Sequence, residues 1–575
     1  MAITTNTGGE EPLGEEFVVK KNLRVGKLAT ALAFVASTCA AVTTGVIGAS
    51  SIASAAPQPA LNLANEQGML WPCAFNPFNP SDSPYSVGLT YETLDFVNAL
   101  QNGKVTPWLA SNYAWSNGNK TITFTIRSGV KWSDGTPLTA ADVAYTFNLL
   151  KAKPALDINA LWSVLSSVSA SGSTVTVNFK TSAVPYFFYV AGQTPIVPEH
   201  LWSKIANPVT YTDSKPVGSG GYVMSLCTPN NIKWTSNPNY WQKGDAKVAV
   251  VNMPAFLSNN TCNEYLATGQ SQWGSQFIPN IKSYYVAKKA GNSYWFPPVA
   301  NVDLFPNLTV PGLNVAAVRQ AISYAINRPL ISKIGEYGYE PPASQTGIVA
   351  PTFKAWSSSA ATSAQGTSYN PSKVASLLTA AGYKKDGSGV WAKNGKELAF
   401  TLTTNGGYSD WVASMQVVAQ QLNAAGFKIT LTPEASTTFY SNLYAGKYQL
   451  AYDAETGGPA PYYELRQALY SKNSAPIGTA AASNWERFSS PAVDKLINEY
   501  GATTSTATQH SIVNQLQTIM VQQAPIIPVL EEVDWYQYNP TQFNNFPTAS
   551  NPYAQPGLYN EPDWGYVLDK LTPKA

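Results

Sequence analysis

Histidine is almost missing from this sequence, with two in 575 residues, His200 and His510. With so little imidazole, a Ser-His-Asp triad or a histidine-built metal centre lacks material. Charge is scarce as well. Asp, Glu, Lys and Arg together make up 12% of the chain and the net charge is +2, so nothing electrostatic points to nucleic acid. There are only four cysteines, and their spacing matches no zinc pattern. The one glycine-rich run that resembles a phosphate loop, Gly218-Ser219-Gly220-Gly221-Tyr222, has neither the Lys nor the following helix that a phosphate cradle needs. It reads as a turn feeding a strand, and neither a cofactor nor a bound metal is expected.

Apolar and aromatic residues are plentiful by contrast. Hydrophobic residues make up 44% of the chain, which carries 16 Trp and 32 Tyr. The length allows several cores, about three or four units. A surface polar through Asn, Ser, Thr and Gln rather than charge favours a secreted, ligand-stacking protein over a cytosolic enzyme.

Lys20, Lys21, Arg24 and Lys27 precede an uncharged stretch from Leu28 to about Ser50, followed by Ala53-Ser54-Ala55. This order predicts a signal peptide over residues 1–55, cleaved after Ala55. The stretch is also long enough for an uncleaved anchor, and a lipid on Cys39 is a third option, disfavoured by the bulky polar Thr38 before it. The protein is therefore expected outside the cytoplasmic membrane, secreted or anchored. Three cysteines then remain in an oxidising compartment. One pair is expected, Cys227 with Cys262 for proximity, with Cys73–Cys262 as the rival.

The segment Trp71 to Pro80 is rich in Pro and Asn and predicts a loop with exposed aromatics. Phe75 in it is a candidate cleft rim, or else with Phe78 a staple onto a core. Ile122, Phe124 and Ile126 alternate as in a strand, and Thr139 with Asp142 predicts a capping box opening a helix. A second alternation runs through Val175, Val177 and Phe179. Val315, Val318, Ile322, Ala325 and Ile326 form a helical stripe that Pro329 is expected to end.

The second half repeats this grammar. It has helices over 371–381, 412–425 and 439–444, strands over 398–403 and 428–432, and the loop NGGYSDW holding Tyr408 and Trp411. Next comes YQLAYDAETGGPAPYY, in which a strand starting at Tyr448 ends in Asp453 and Glu455 before a Gly-Pro turn. Residues two apart on an extended chain share a face, so both acids can meet one cation, or act as a glycosidase pair. Glycosidase carboxylates flank the scissile bond from separate elements about 5 Å or more apart, which two acids at one strand end do poorly. A last helix around Ile512 to Met520 leads to a strand over Pro525 to Leu530. Strands alternating with helices predict an α/β fold, a mixed α+β chain with a partly parallel sheet.

The runs TFTIRSGVKWSDGTPLTAADVAYTFNLL, PIVPEHLW, PVGSGGYVM, NPNYW, VRQAISYAINRPLI and QAPIIPVL, in that order, resemble the family 5 extracellular solute-binding proteins. These are oligopeptide and dipeptide receptors of ABC importers, and the resemblance spans Gly88 to Val533. It implies a two-lobed clamp with a hinge of two crossing strands. Lobe I would take residues 56–311, with an inserted subdomain over about 91–217, and again 531–575; lobe II would take 312–530. Lobe closure buries the ligand and creates the shape that membrane permease subunits recognise.

In oligopeptide receptors, a carboxylate four residues before a Pro grips the peptide α-ammonium. Glu455 stands at that spacing from Pro459, where the family usually has Asp, and Asp453 is second choice. The resemblance adds Thr456 and Gly457 beside them, with Tyr408, Trp411, Trp485 and Phe75, as ligand-binding candidates. A minority branch binds β-linked oligosaccharides by stacking sugars on Trp, for which Trp71, Trp391, Trp411 and Trp485 are available. Nickel chelates and opines are further ligands of such receptors. A monomer, not an enzyme, is implied.

Overall fold

The computed structural model describes residues 59–65, 68–79, 85–364 and 369–574. The expected signal peptide over 1–55 and Cys39 lie outside the described residues. Among the described residues, no helix is long and apolar enough to cross a membrane.

Local patterning translates directly into the N-terminal elements. Strand Thr121–Ile126 turns Ile122, Phe124 and Ile126 inward and leaves its threonines toward solvent. It pairs with Ala110–Ser116 and Thr174–Phe179, and Leu165–Ser171 completes a four-stranded antiparallel sheet. Helix Ala140–Ala152 packs on that sheet and starts with the predicted capping box, Thr139 N–H donating to Asp142 Oδ2 over 2.8 Å. A seven-stranded sheet is centred on Leu61–Asn65, which runs parallel to both Val250–Pro254 and Trp273–Ser275. The chain rejoins this sheet late, where Gln537–Tyr538 pairs with Trp273–Ser275.

A five-stranded sheet carries the candidate site. Its strands are β1 (Pro298–Pro306), β2 (Ala399–Thr403), β3 (Lys428–Leu431), β4 (Leu450–Ala454) and β5 (Ile527–Val533), in the order β3-β2-β4-β1-β5. β2 is parallel to β3 and β4, whereas β1 is antiparallel to β4 and β5. Val302, Leu304, Leu402, Leu450 and Tyr452 face helices Ala316–Ala325 and α1 (Ser409–Ala425) in one core. The opposite face carries Asp303, Phe305, Ala451 and Asp453, because side chains alternate along a strand. That face is covered by α2 (Ser436–Tyr444), by α3 (Pro461–Leu469) and by residues from the N-terminal third.

One continuous core therefore runs from Phe78 to Ile526. Tyr463 donates its hydroxyl to the Pro185 carbonyl over 2.9 Å, and the Arg466 guanidinium lies 4.9 Å from the Tyr189 ring centre. Nothing in the local sequence marks this union of segments three hundred residues apart.

Several expectations are corrected. Pro329 opens a second helix, Arg328–Gly335, because Asn327 caps it and a first-turn Pro forfeits no intrahelical bond. α1 begins at Ser409, so Tyr408 is its cap and Trp411 lies in its first turn; Asp410 there complements the helix dipole. β4 starts at Leu450 and contains Asp453, leaving only Glu455 past its end. Phe75 and Phe78 are buried, so the Trp71 to Pro80 loop does not expose them as a cleft rim.

The disulfide joins Cys73 to Cys227, which is neither of the expected pairs, and Cys262 is a buried thiol on helix Asn259–Ala267. The loop is pinned to the turn after strand Tyr222–Thr228 and to strand Val250–Pro254. Trp71 N–H donates to the Pro229 carbonyl (2.9 Å) and the Trp71 indole donates to the Met253 carbonyl (2.9 Å). The bridge closes a loop of 154 residues, worth up to about 5 kcal/mol through chain entropy. A Cys73→Ser, Cys227→Ser double variant should unfold at markedly lower denaturant with a steeper slope, because its unfolded chain is more expanded, as followed by tryptophan fluorescence.

Candidate functional site

β4 and the turn after it deliver the two acids read from the sequence. The Thr456–Gly458 segment is wedged between β1 and α3. A Cβ on Gly457 would sit 2.3 Å from the Val299 carbonyl oxygen, so only glycine permits this approach. Gln467 Nε2 donates to the Thr456 carbonyl from the α3 side. The turn is thereby held, and with it Glu455.

Glu455 is 2% exposed, and among the described residues neither carboxylate oxygen has a partner at hydrogen-bonding geometry. Burial, and then the neighbouring carboxyls of Glu486, Asp303 and Glu464, push it well above the usual carboxylate range, while the Asn484 amide works the other way. Asp453 is pushed up to about 8 by burial, against one hydrogen bond from its neighbour's Ala454 N–H (2.9 Å). Asp303 lies directly across from Asp453 in the β1–β4 register. It is fully buried with both oxygens unpartnered, and burial followed by Glu464, Glu486 and Glu532 raises it. Glu486 is likewise buried and unpartnered at both oxygens; burial raises it, with its own backbone amide, Arg487 and Arg319 opposing. The Tyr448 hydroxyl, also unpartnered, lies among Glu486, Glu455 and Asp453.

An aromatic row flanks these acids. Tyr408 hydrogen-bonds to Tyr440, Tyr440 stacks on Tyr444 with ring centres 5.8 Å apart, and Tyr444 lies 5.8 Å from Trp485. Trp485 closes the row edge-on to Phe305 at 5.1 Å. Tyr408, Tyr440 and Tyr444 are half-buried, and Asp453 acts electrostatically on both Tyr440 and Tyr444. The arrangement is an aromatic wall beside Asp453 and Glu455, neither of which forms an ion pair among the described residues.

Six of the eight candidates are thus brought together: Asp453, Glu455, Thr456, Gly457, Tyr408 and Trp485. Trp411 touches the row through Tyr408 but is buried edge-on to Tyr452. Phe75 belongs to the separate core of the seven-stranded sheet. Trp71 and Trp391 are buried too, and Trp391 gives its indole N–H to the Ala425 carbonyl. Asp303 is not among the candidates, although a lone acid in the apolar run VANVDLFP is a usable signal. Glu486, Tyr440, Tyr444 and Tyr448 carry no local mark.

Residues 104–476 match the model of the bacterial extracellular solute-binding proteins, family 5. The chain belongs to this family. Among its relatives, the nickel-binding periplasmic protein of Escherichia coli (strain K12) is 24% identical over 484 residues, covering 80% of this chain and 87% of that one. The glutathione-binding protein GsiB of Shigella dysenteriae serotype 1 is 26% identical over 446 residues, covering 74% and 80%. A mannohexaose-bound periplasmic oligopeptide-binding protein of an ABC transporter from Thermotoga maritima superposes with a TM-score of 0.83 at 24% identity, covering 90% of this chain and 99% of that one.

This family 5 protein is accordingly a solute-binding receptor of the ABC-importer type with a two-lobed periplasmic-binding-protein fold. The Escherichia coli and Thermotoga maritima proteins are periplasmic, which supports an extracytoplasmic location. Its relatives' ligands differ widely, so the ligand must be argued from the site. Among the described residues, no group of three or more His, Cys, Asp and Glu side chains is placed to hold a metal ion.

Proposed function

We propose that this receptor captures oligopeptides outside the cytoplasmic membrane, holds their α-ammonium on Glu455, and passes them to the membrane permease subunits of an ABC importer. The observation that carries this reading is the buried, unpartnered Glu455 carboxyl facing further acids instead of a cation. A buried carboxylate without a counter-charge costs several kcal/mol. An ammonium brings both the charge and three N–H donors. Main-chain hydrogen bonds would hold the rest of the peptide, with side chains in wet, tolerant pockets.

Capture proceeds by lobe closure, with lobe I over 56–311 and 531–575, the subdomain over about 91–217 inserted in it, lobe II over 312–530, and the protein working as a monomer. Glu455 is longer than the family's usual Asp by one methylene, and its turn lies close against β1 at Val299. The half-buried faces of Tyr408, Tyr440 and Tyr444 favour a second reading, an oligosaccharide stacked on that wall. Native mass spectrometry of receptor purified without denaturation separates the two. Retained masses built of amino-acid residues are expected, and hexose increments would replace the peptide reading with the sugar one.

A further inference from the structure

A second set of buried acids lies on the other side of β4 and has no role in gripping an α-ammonium. Glu336 caps helix Arg328–Gly335, Glu340 follows four residues on, Asp410 stands in the first turn of α1, and Tyr452 reaches them from β4. Glu336, Glu340 and Tyr452 are fully buried and Asp410 nearly so. Their partners are neutral: the backbone amides of Asp410 and Trp411 act on Asp410, the Val533 amide acts on Glu340, and two side chains contribute. Ser414 Oγ donates to one Glu336 oxygen over 2.8 Å, and Asn259 Nδ2 donates to Asp410 Oδ1 over 3.1 Å. Among the described residues, the other Glu336 oxygen, both Glu340 oxygens and the Tyr452 hydroxyl have no partner at full hydrogen-bonding geometry. The Tyr452 hydroxyl is aimed into the group, lying in the field of Glu340, Glu336 and Asp410.

The contrast with neighbouring acids is informative. Arg328 acts on Asp303, and Arg487 and Arg319 act on Glu486, but among the described residues no Lys or Arg forms an ion pair with Glu336, Glu340 or Asp410. Buried polar atoms in folded proteins are almost always partnered, so four orphaned atoms in one place call for donors from outside the chain. Water would supply hydrogen bonds but not charge. A guanidinium offers five N–H donors in a planar fork and an ammonium offers three, each with the positive charge that these carboxyls lack.

The group also lies where segments from the two halves of the chain meet. Asn259, which binds Asp410, comes from the first half of the chain, as does Ile281, whose N–H donates to the Tyr339 hydroxyl over 3.0 Å. Glu532 connects it to the other site, acting on Glu340 and feeling Asp453 and Glu464 in turn.

We infer that Glu336, Glu340 and Asp410, with the Tyr452 hydroxyl, form a second cation subsite that receives a Lys or Arg side chain of the captured ligand. The inference rests on the peptide reading for the identity of that ligand, and selects basic peptides within it. Glu340 is the central contact, its carboxyl approached only by the Val533 amide, and Glu336 supplies one more acceptor.

The test compares tripeptides with arginine at each position in turn against the same peptides with norleucine, by calorimetry at constant salt. The best arginine peptide should bind wild type roughly tenfold or more tightly than its norleucine counterpart. Glu340→Gln should abolish that preference while leaving norleucine-peptide affinity within about twofold, and Glu336→Gln should reduce it. Circular dichroism confirms that each variant is folded. Spermidine, a polycation with no peptide bond, is tested in parallel by thermal shift, and should raise the wild-type Tm more than that of Glu340→Gln. A difference in either readout that Glu340→Gln removes supports the subsite, even if no peptide binds and the peptide reading falls. Identical behaviour of wild type and both variants in both readouts overturns it.

Discussion

Glu455→Gln is expected to weaken binding of a free-amine oligopeptide by roughly a hundredfold or more. Removing one member of a desolvated charge pair costs about 2–5 kcal/mol, since the ammonium is left buried without a counter-charge. Gln keeps the shape of the side chain and the clamp of its turn, so folding is unaffected. N-acetylation of the peptide deletes the other member, and the acetylated peptide should bind poorly to wild type and variant alike. Calorimetry on the four combinations yields the coupling between the two groups. Equal affinity of wild type for free and acetylated peptide would remove Glu455 from this role. Asp453→Asn should cost less, because Asp453 already accepts the Ala454 N–H.

The empty receptor should be more stable in mild acid than at neutral pH. Asp453 is pushed up to about 8, and Glu464, Glu531 and Asp534 to about 7, in every case chiefly by burial. In the unfolded chain such carboxyls titrate near pH 4. Between these limits the native state holds protons that the unfolded state has released, so stability is complete below about pH 4 and falls as pH rises toward 8. Each group contributes at most about 1.4 kcal/mol per pH unit across that window. With several acting together, Tm should be higher at pH 5 than at pH 8 by roughly 5 °C or more, read by calorimetry on ligand-free protein. Bound peptide should flatten the profile, because an ammonium favours the ionised carboxylates. A Tm that rises steadily from pH 5 to pH 8 in the ligand-free form would mean that these groups are ionised in the native state.

The two sites differ in how far they can be read from the chain. Glu455 is recognisable because its marks are local: a strand, an acid and a Gly-Pro turn within sixteen residues. Asp303 sits in an apolar strand, where a lone acid is conspicuous, yet its partner across the β1–β4 register is 150 residues away. Glu336, Glu340 and Asp410 look like ordinary surface acids on loops and a helix cap. They become a group only because Tyr452 and α1 bring them together. The cysteines make the same point. Proximity in sequence favoured Cys227 with Cys262, but the Trp71 loop crosses to Tyr222–Thr228 and selects Cys73.

What the sequence by itself determined is the family, the α/β grammar, most strand and helix positions, and the acid at the end of β4. These depend on periodicity, caps and turn residues, which act over a few positions. Only the tertiary structure decided which carboxyls lie beyond reach of any cation, which aromatics form a wall rather than a core, and which cysteines meet. Those properties depend on distances between segments hundreds of residues apart, and desolvation is a property of the packed whole.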